Sequence, residues 1–419
     1  MDNPEARVIL QRMENTSDIL IVGGGLNGPA LALALAQSDQ RVTLIDALPE
    51  ALRKDAGFDG RAYALALASQ RLLQAIGVWN RIADEAQPML DIKVTDGHAG
   101  AGPSPFFMHF DHDEIEEGPM GYMVEDRHLR RAFLDALDEA ENVTQVDGTV
   151  VDQSTGPAGA EVVLADGKVL KARLLVGCDG RNSGTAQRAG ISRTGWGYGQ
   201  TALVCAIEHE KPHHGVAHQF FMPPGPLAIL PLTGNHSSIV WSERTETAAE
   251  INALPEAEYL AALRPRFGDF LGEIKLAGKR WSYPLGLTVA NSFIAERLAL
   301  VGDAAHGMHP IAGQGLNAGL RDVGALAEVL VEAARRGEDI GAAPVLERYQ
   351  QWRRFDTATL ALATDAFNRL FSNDNPLLRL GRDLGMGLVN SIPALRRGFV
   401  REAAGLTGDL PRLLRGQPI

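Results

Sequence analysis

Asp18-Ile19-Leu20-Ile21-Val22-Gly23-Gly24-Gly25-Leu26-Asn27-Gly28 runs directly into Pro29-Ala30-Leu31-Ala32-Leu33-Ala34-Leu35-Ala36. A short β-prone run meets a glycine cluster, and the cluster opens onto Ala and Leu, which are strong helix formers. A second β-prone run, Arg41 to Ile45, ends on Asp46. Each part has a physical task. Gly23 permits a tight turn, Gly25 lets the backbone approach a pyrophosphate, and Gly28 lets the helix lie close on the strand. The helix N-terminus turns its free N–H groups toward the anion. Asp46 stands where it can accept hydrogen bonds from ribose hydroxyls, and its charge would repel a 2′-phosphate, which disfavours NADP there.

Strand, G-x-G-x-x-G turn, helix, strand and carboxylate follow in the order of a Rossmann site for an adenine dinucleotide. This stretch leaves open whether the dinucleotide is FAD or NAD. Two further stretches bear on that choice. Leu174-Leu175-Val176-Gly177-Cys178-Asp179-Gly180-Arg181-Asn182-Ser183 is an apolar strand entering an Asp-Gly turn. Leu298-Ala299-Leu300-Val301-Gly302-Asp303-Ala304-Ala305-His306 does the same, and continues through Pro310 to Gly313-Gln314-Gly315-Leu316-Asn317 and a helical run, Ala318 to Ala334.

Together the three motifs, in this order, resemble the class A flavoprotein monooxygenases, the para-hydroxybenzoate hydroxylase-like family. The resemblance implies FAD as cofactor. It implies Asp303, with Gly302, on the flavin ribityl chain, and Pro310, Gly313, Gly315, Leu316 and Asn317 along the isoalloxazine ring. Asp179 and Gly180 would serve FAD packing and NAD(P)H contact. Arg61, in Phe58-Asp59-Gly60-Arg61-Ala62, matches a family arginine near the flavin, and Arg127 one on the pyrophosphate side.

Softer blocks narrow the resemblance. Arg61 to Ser69, Gln200 to Trp241, and the tail with Gly385-Met386-Gly387-Leu388 and Leu410-Pro411 look like the ubiquinone-biosynthesis hydroxylases. That branch implies hydroxylation of a polyprenylated phenol by O₂ through a flavin C4a-hydroperoxide. Electrons would come from NADH, NADPH or a separate reductase. The cofactor would carry the hard chemistry, and no side chain is assigned as acid or base. The alternative is a soluble hydroxylase of a small phenolic compound.

The expected fold is α/β: a Rossmann-type FAD/NAD(P)-binding domain with an inserted mixed β-sheet substrate domain and C-terminal helices. Residues 1–17 would be a flexible extension. Residues 18–90, 121–195 and 291–345 would form a discontinuous FAD-binding domain. Residues 91–120 and 196–290 would build the substrate-side sheet, and 346–419 a helical tail. Asp-Gly turns at Asp147-Gly148 and Asp166-Gly167 separate short strands, and Thr247 to Phe270 reads as helix.

Composition sets the remaining bounds. The 419 residues are 45% hydrophobic and 22% charged, ordinary for a globular chain, and the net charge is −12. So acidic a protein lacks the electrostatic basis for nucleic-acid binding. Cys178 and Cys205 are too few for a disulfide framework and read as buried free thiols. His213-His214 and His218 lack a carboxylate or cysteine at ligand spacing, so no metal is expected. His306 and His309 flank the Gly-Asp turn and would either hydrogen-bond near the flavin or cap the helix. Phe220, Phe221, Leu230 and Leu232 are candidates for an apolar pocket wall or for sheet core. No apolar run suits a spanning helix, so the expected location is cytoplasmic. The tail's arginines, interleaved with Leu and Phe, suggest peripheral contact with the inner membrane or with a ubiquinone-biosynthesis complex.

Overall fold

The computed structural model describes residues 16–54, 57–98, 102–114, 117–307, 314–371 and 392–419. Its first sheet has the strand order β17-β18-β11-β1-β2-β8. These are β1 (Thr16–Val22), β2 (Val42–Asp46), β8 (Val143–Asp147), β11 (Val169–Gly177), β17 (Ile294–Ala295) and β18 (Leu298–Leu300). From β18 to β8 the pairing is parallel. The crossover from β1 to β2 is α1 (Asn27–Ala36), as parallel neighbours require.

Every residue of α1 from Gly28 to Leu35 is buried. A helix buried all round needs no polar face, which is why this segment reads as unbroken Ala and Leu. It lies against α4 (Asp126–Asp138) and α8 (Gln314–Arg335). The main core fills the space around it with Ile19, Ile21, Leu35, Phe133, Leu175 and Leu330, among others.

β9 (Val150–Gly156) and β10 (Gly159–Leu164) extend this sheet as an antiparallel flap on β11. The Asp166-Gly167 turn closes the β10–β11 hairpin. Asp147-Gly148 closes none: β8 pairs with β2, and the Gly148 N–H bonds Asp46 O at 2.8 Å.

A second sheet runs β19-β16-β12-β15-β14-β13-β5-β6. It contains β5 (Asp91–His98), β6 (Gly102–Asp111), β12 (Arg193–His209), β13 (Val216–Phe221), β14 (Leu227–Leu232), β15 (His236–Arg244), β16 (Ile274–Ala290) and β19 (His306–Gly307). It is mixed, because β13 and β5 are parallel and their neighbours antiparallel. One face packs Leu203, Ile207, Ile229 and Trp241 under α6 (Thr245–Ala253) and α7 (Glu256–Phe267). The single helix expected over Thr247 to Phe270 is these two. Leu254 is extended before Pro255, as a residue preceding proline prefers.

A small third sheet, β3 (Ala62–Ala66), β7 (Gly121–Glu125) and β4 (Gln87–Met89), stands between the larger two. Helices α2 (Glu50–Arg53), α3 (Leu67–Ala75), α5 (Gly184–Arg188), α9 (Ala343–Phe371) and α10 (Pro393–Ala403) complete the described elements used below. Both thiols are free. Cys205 is buried, whereas Cys178 is half-buried because it follows β11 at the edge of the candidate site. Among the described residues no helix is long and apolar enough to cross a membrane.

Candidate functional site

The three motifs, far apart in the chain, end side by side. Val22 lies opposite Gly177 and Ile45, and Gly177 opposite Leu300. The ladder then continues into the turns: Gly23 N–H to Ile45 O at 2.8 Å, Cys178 N–H to Val22 O at 2.7 Å, and Val301 N–H to Gly177 O at 2.9 Å. The carboxyl ends of adjacent parallel strands are where open α/β sheets bind ligands.

Packing decides which glycines are obligatory. Gly23 has φ +113°, and a Cβ there would run into Cys178 O. A Cβ on Gly28 would run into Gly23 O, so helix and turn touch through bare backbone. Gly25 differs: a Cβ there meets no atom of the described residues within 4 Å. The space over Gly25 is therefore open, and Leu26 gives the first turn of α1 no side-chain cap. The N–H groups of that turn remain available to an anion.

Asn27 sits where the motifs converge. A Cβ on Gly302 or Gly319 would strike its amide, and its Oδ1 is buried with no partner among the described residues. Asp46 accepts from the N–H groups of Gly24 and Leu48, the latter at 2.6 Å, which fixes its carboxylate at the end of β2. The carboxylate of Asp303 has no hydrogen-bond partner among the described residues. Open glycine, uncapped helix, orphaned amide oxygen and free carboxylate together suit a dinucleotide that presents both an anion and hydroxyls.

Asp179 is used differently. Its Oδ1 accepts from Ser183 Oγ, and its Oδ2 from Thr185 N–H and Thr185 Oγ1, both at 2.9 Å. It thus pins the start of α5, and Gly180 follows at φ +78°. Asn317, in the first turn of α8, accepts from Ala66 N–H (2.9 Å) and Ser69 Oγ (2.7 Å) and donates to Ala64 O (2.9 Å). Its amide clamps α8 to β3 and α3. Gly315 and Leu316 share that turn. Pro310, Gly313 and His309 lie outside the described residues.

Arg61 and Arg127 are placed by the three-stranded sheet rather than the parallel one. Arg61 bridges Asp59 (2.7 Å) and the buried Asp126 (3.1 Å) and stacks over Trp281. Burial works against its charge, but the two carboxylates outweigh burial and raise its pKa. Arg127 pairs with Glu125 at 2.6 Å and lies over Phe58.

Sequence reasoning missed the support beneath the Gly-Asp turn. Asp322, from α8, accepts from Gly302 N–H at 2.9 Å, His306 Nε2 at 2.6 Å and Arg353 Nε at 2.7 Å. Burial alone would raise its pKa. The charges and hydrogen bonds of His306 and Arg353 prevail and hold it below the usual carboxylate range. Arg353 passes the network to Asp356 (2.7 Å), and Tyr349 donates to Leu300 O (2.7 Å). The available signal was weak: Asp322 stands beside Arg321, ahead of the apolar stretch Val323 to Ala327.

Of the pocket-wall candidates, Leu230 and Leu232 face the third sheet with Met89, Met123 and Ala206. Phe220 packs instead under α6 and α7, because successive residues of a strand point to opposite faces. His213 is committed to Leu232 O (2.7 Å) and Gly215 N–H (3.0 Å).

A family model described as FAD binding domain matches residues 16–360. The ubiquinone hydroxylase UbiL of Rhodospirillum rubrum is 48% identical over 411 residues, covering 97% of this chain and 94% of that protein. The 3-demethoxyubiquinol 3-hydroxylase of Escherichia coli is 36% identical, over 93% of this chain and 99% of its own length. The mitochondrial ubiquinone biosynthesis monooxygenase COQ6 of Homo sapiens is 31% identical over 92% of each chain. The crystal structure of the p-nitrophenol 4-monooxygenase PnpA from Pseudomonas putida superposes with a TM-score of 0.78 at 20% identity, over 94% of this chain and 99% of that one, a likeness of fold. The chain belongs to the FAD-binding-domain family, as a class A flavin monooxygenase of the ubiquinone-hydroxylase branch.

Proposed function

We propose that this protein hydroxylates the aromatic ring of a polyprenylated phenol in ubiquinone biosynthesis, using O₂ and electrons from NAD(P)H or a reductase. The observation that carries this reading is the near-full-length similarity to ubiquinone hydroxylases. The convergence of three motif turns on one row of strand ends supports it. When bound, FAD supplies the redox and oxygen chemistry.

The chain's own residues then bind and orient. Gly23, Gly25 and Gly28 with the open turn of α1 would receive the pyrophosphate, and Asp46 the ribose hydroxyls. Gly302 and Asp303 would meet the ribityl chain, and Gly315 to Asn317 would border the flavin ring. Asp179 and Gly180 shape the neighbouring turn. Arg61 and Arg127, each already paired with carboxylates, would offer their guanidinium groups at the cofactor's edge. The parallel sheet with its helices would be the FAD-binding domain. The mixed sheet would form the substrate side, with Leu230 and Leu232 in the apolar wall that shields the reacting ring from water.

A membrane-facing role suits α10. Ile392, Leu395 and Phe399 are exposed at 37%, 45% and 41%, with Arg397 exposed beside them. Arg396 and Arg401 fasten the helix to Glu114 and Glu117. An apolar ridge flanked by arginines fits an anionic lipid surface where a polyprenyl chain would enter. Vesicles containing anionic lipid should float the wild type and lose the Leu395→Asp/Phe399→Asp variant.

The deciding experiment is mass spectrometry of the quinone pool in cells lacking the gene. A polyprenylphenol one oxygen short should accumulate, and fragmentation names the carbon. An unchanged pool would move the reading to a small-phenol hydroxylase.

A further inference from the structure

Arg193, the first residue of β12, belongs to the second sheet, yet its side chain reaches into the first. Nη1 donates to Arg181 O at 2.9 Å and Ala304 O at 3.3 Å. Nη2 donates to Asp303 O at 2.9 Å and Thr288 Oγ1 at 3.1 Å. These are the four Nη hydrogens of a guanidinium, each spent on a different acceptor. The acceptors come from the Asp-Gly turn, the Gly-Asp turn and the neighbouring strand β16.

All four acceptors are neutral, so this is not an ion pair bought for stability. Burial works against the guanidinium's charge and lowers its pKa, and the nearby Asp303 and Asp179 offset this only in part without bonding to it. Backbone hydrogen bonds join the strand ends as far as Val301 and hold Ala305 to β16 through Ala290 N–H at 2.7 Å, and the guanidinium adds a link between the Arg181 carbonyl and those of Asp303 and Ala304. A planar fork with fixed donor directions can supply that link, and a flexible ammonium cannot. Gripping the carbonyls of both Asp303 and Ala304 fixes the backbone from which the Asp303 carboxylate projects.

We propose that Arg193 is a positioning residue for the FAD site: it locks the two turns to each other and to the second sheet, and so sets the direction in which Asp303 presents its carboxylate. This rests on the reading of the Asp303 turn as part of the FAD site.

The test uses the full-length protein stripped of flavin and titrated with FAD, following quenching of flavin fluorescence. Melting temperatures are read with and without saturating FAD. Arg193→Lys keeps the charge and loses the fork. Its FAD affinity should fall by about tenfold or more, equivalent to roughly 1.4 kcal/mol. The FAD-induced rise in melting temperature should shrink, so that the flavin-free melting temperature falls by less than the FAD-saturated one. Arg193→Ala should lose at least as much affinity, and if it does not fold, Arg193→Lys decides alone. Wild-type affinity in Arg193→Lys overturns the inference. So does an equal drop in melting temperature with and without FAD, which would make Arg193 a support of the fold alone. A wild-type protein that takes up no FAD removes the FAD reading and the inference with it, an outcome distinct from a variant that binds as well as wild type.

Discussion

Nε2 of His306 lies 2.6 Å from Oδ2 of Asp322, and neither side chain has any exposed surface. The pair joins the end of the Gly-Asp turn to the middle of α8, and Arg353 from α9 closes it on the far side. A carboxylate in such a place is stable only with its partners. Removing one partner of a buried charged network typically costs about 3–5 kcal/mol, because the other charges remain buried. Asp322→Ala should lose that much in urea unfolding of the flavin-free protein. Asp322→Leu combined with Arg353→Met should lose less than Asp322→Ala alone, since the stranded cation is gone. Equal losses would mean that the network is not coupled.

The buried amide of Asn317 gives a second expectation. Three of its hydrogen bonds join the first turn of α8 to Ala64, Ala66 and Ser69. Asn317→Ala leaves the Ala66 N–H and Ala64 O without partners, at about 1–3 kcal/mol for each unsatisfied group. Unfolding should register the loss, and Asn317→Asp, which keeps an acceptor but sets a buried carboxylate against Ala64 O, should lose at least as much.

The fold's opening was legible because its signals are local. Short apolar β-prone runs mark β1 and β2, and Gly28 is demanded by a contact within the same stretch, with Gly23 O, although Gly23 itself is held tight by Cys178 O from a distant segment. The Gly-Asp turn was legible for the same reason. What stayed hidden depends on partners distant in sequence. Arg193 precedes a glycine-rich strand and gives no local hint that it will meet residues 288, 303 and 304. Asp322, next to Arg321, looks like an exposed i,i+1 charge pair until α9 covers it. Asn317 was legible as important but not as a clamp, because its partners arrive from residues 64 to 69. Asp147-Gly148 was legible as a break between two strands, β8 and β9, but not that β8 would pair in parallel with β2.

His218 makes stability depend on pH. Burial beside Phe220 and Phe270, with Lys93 close by, pushes its pKa down to about 4 from 6.5. Between those values the unfolded chain binds a proton that the folded chain refuses. Stability therefore rises with pH across this window and is lost as the solution is acidified from about 6.5 to 4. The loss approaches about 3 kcal/mol at the lower end, at roughly 1.4 kcal/mol per pH unit. His218→Phe should flatten this part of the profile in urea unfolding at a series of pH values. An unchanged slope would assign the acid sensitivity to other groups.

Gly25 and Gly28 separate cofactor binding from folding. A Cβ on Gly28 collides with Gly23 O, so Gly28→Ala must push α1 off its turn. Overpacking of this kind costs about 1–3 kcal/mol, and the flavin-free protein should show it as a lower melting temperature. A Cβ on Gly25 meets no atom of the described residues within 4 Å, so Gly25→Ala should leave the flavin-free protein within about 0.5 kcal/mol of wild type. The same methyl would occupy the space through which a pyrophosphate approaches the backbone. Gly25→Ala should therefore purify with little flavin absorbance while melting normally. Full flavin content in that variant would move the pyrophosphate away from Gly25, and a lowered flavin-free melting temperature would mean that the space above it is not open.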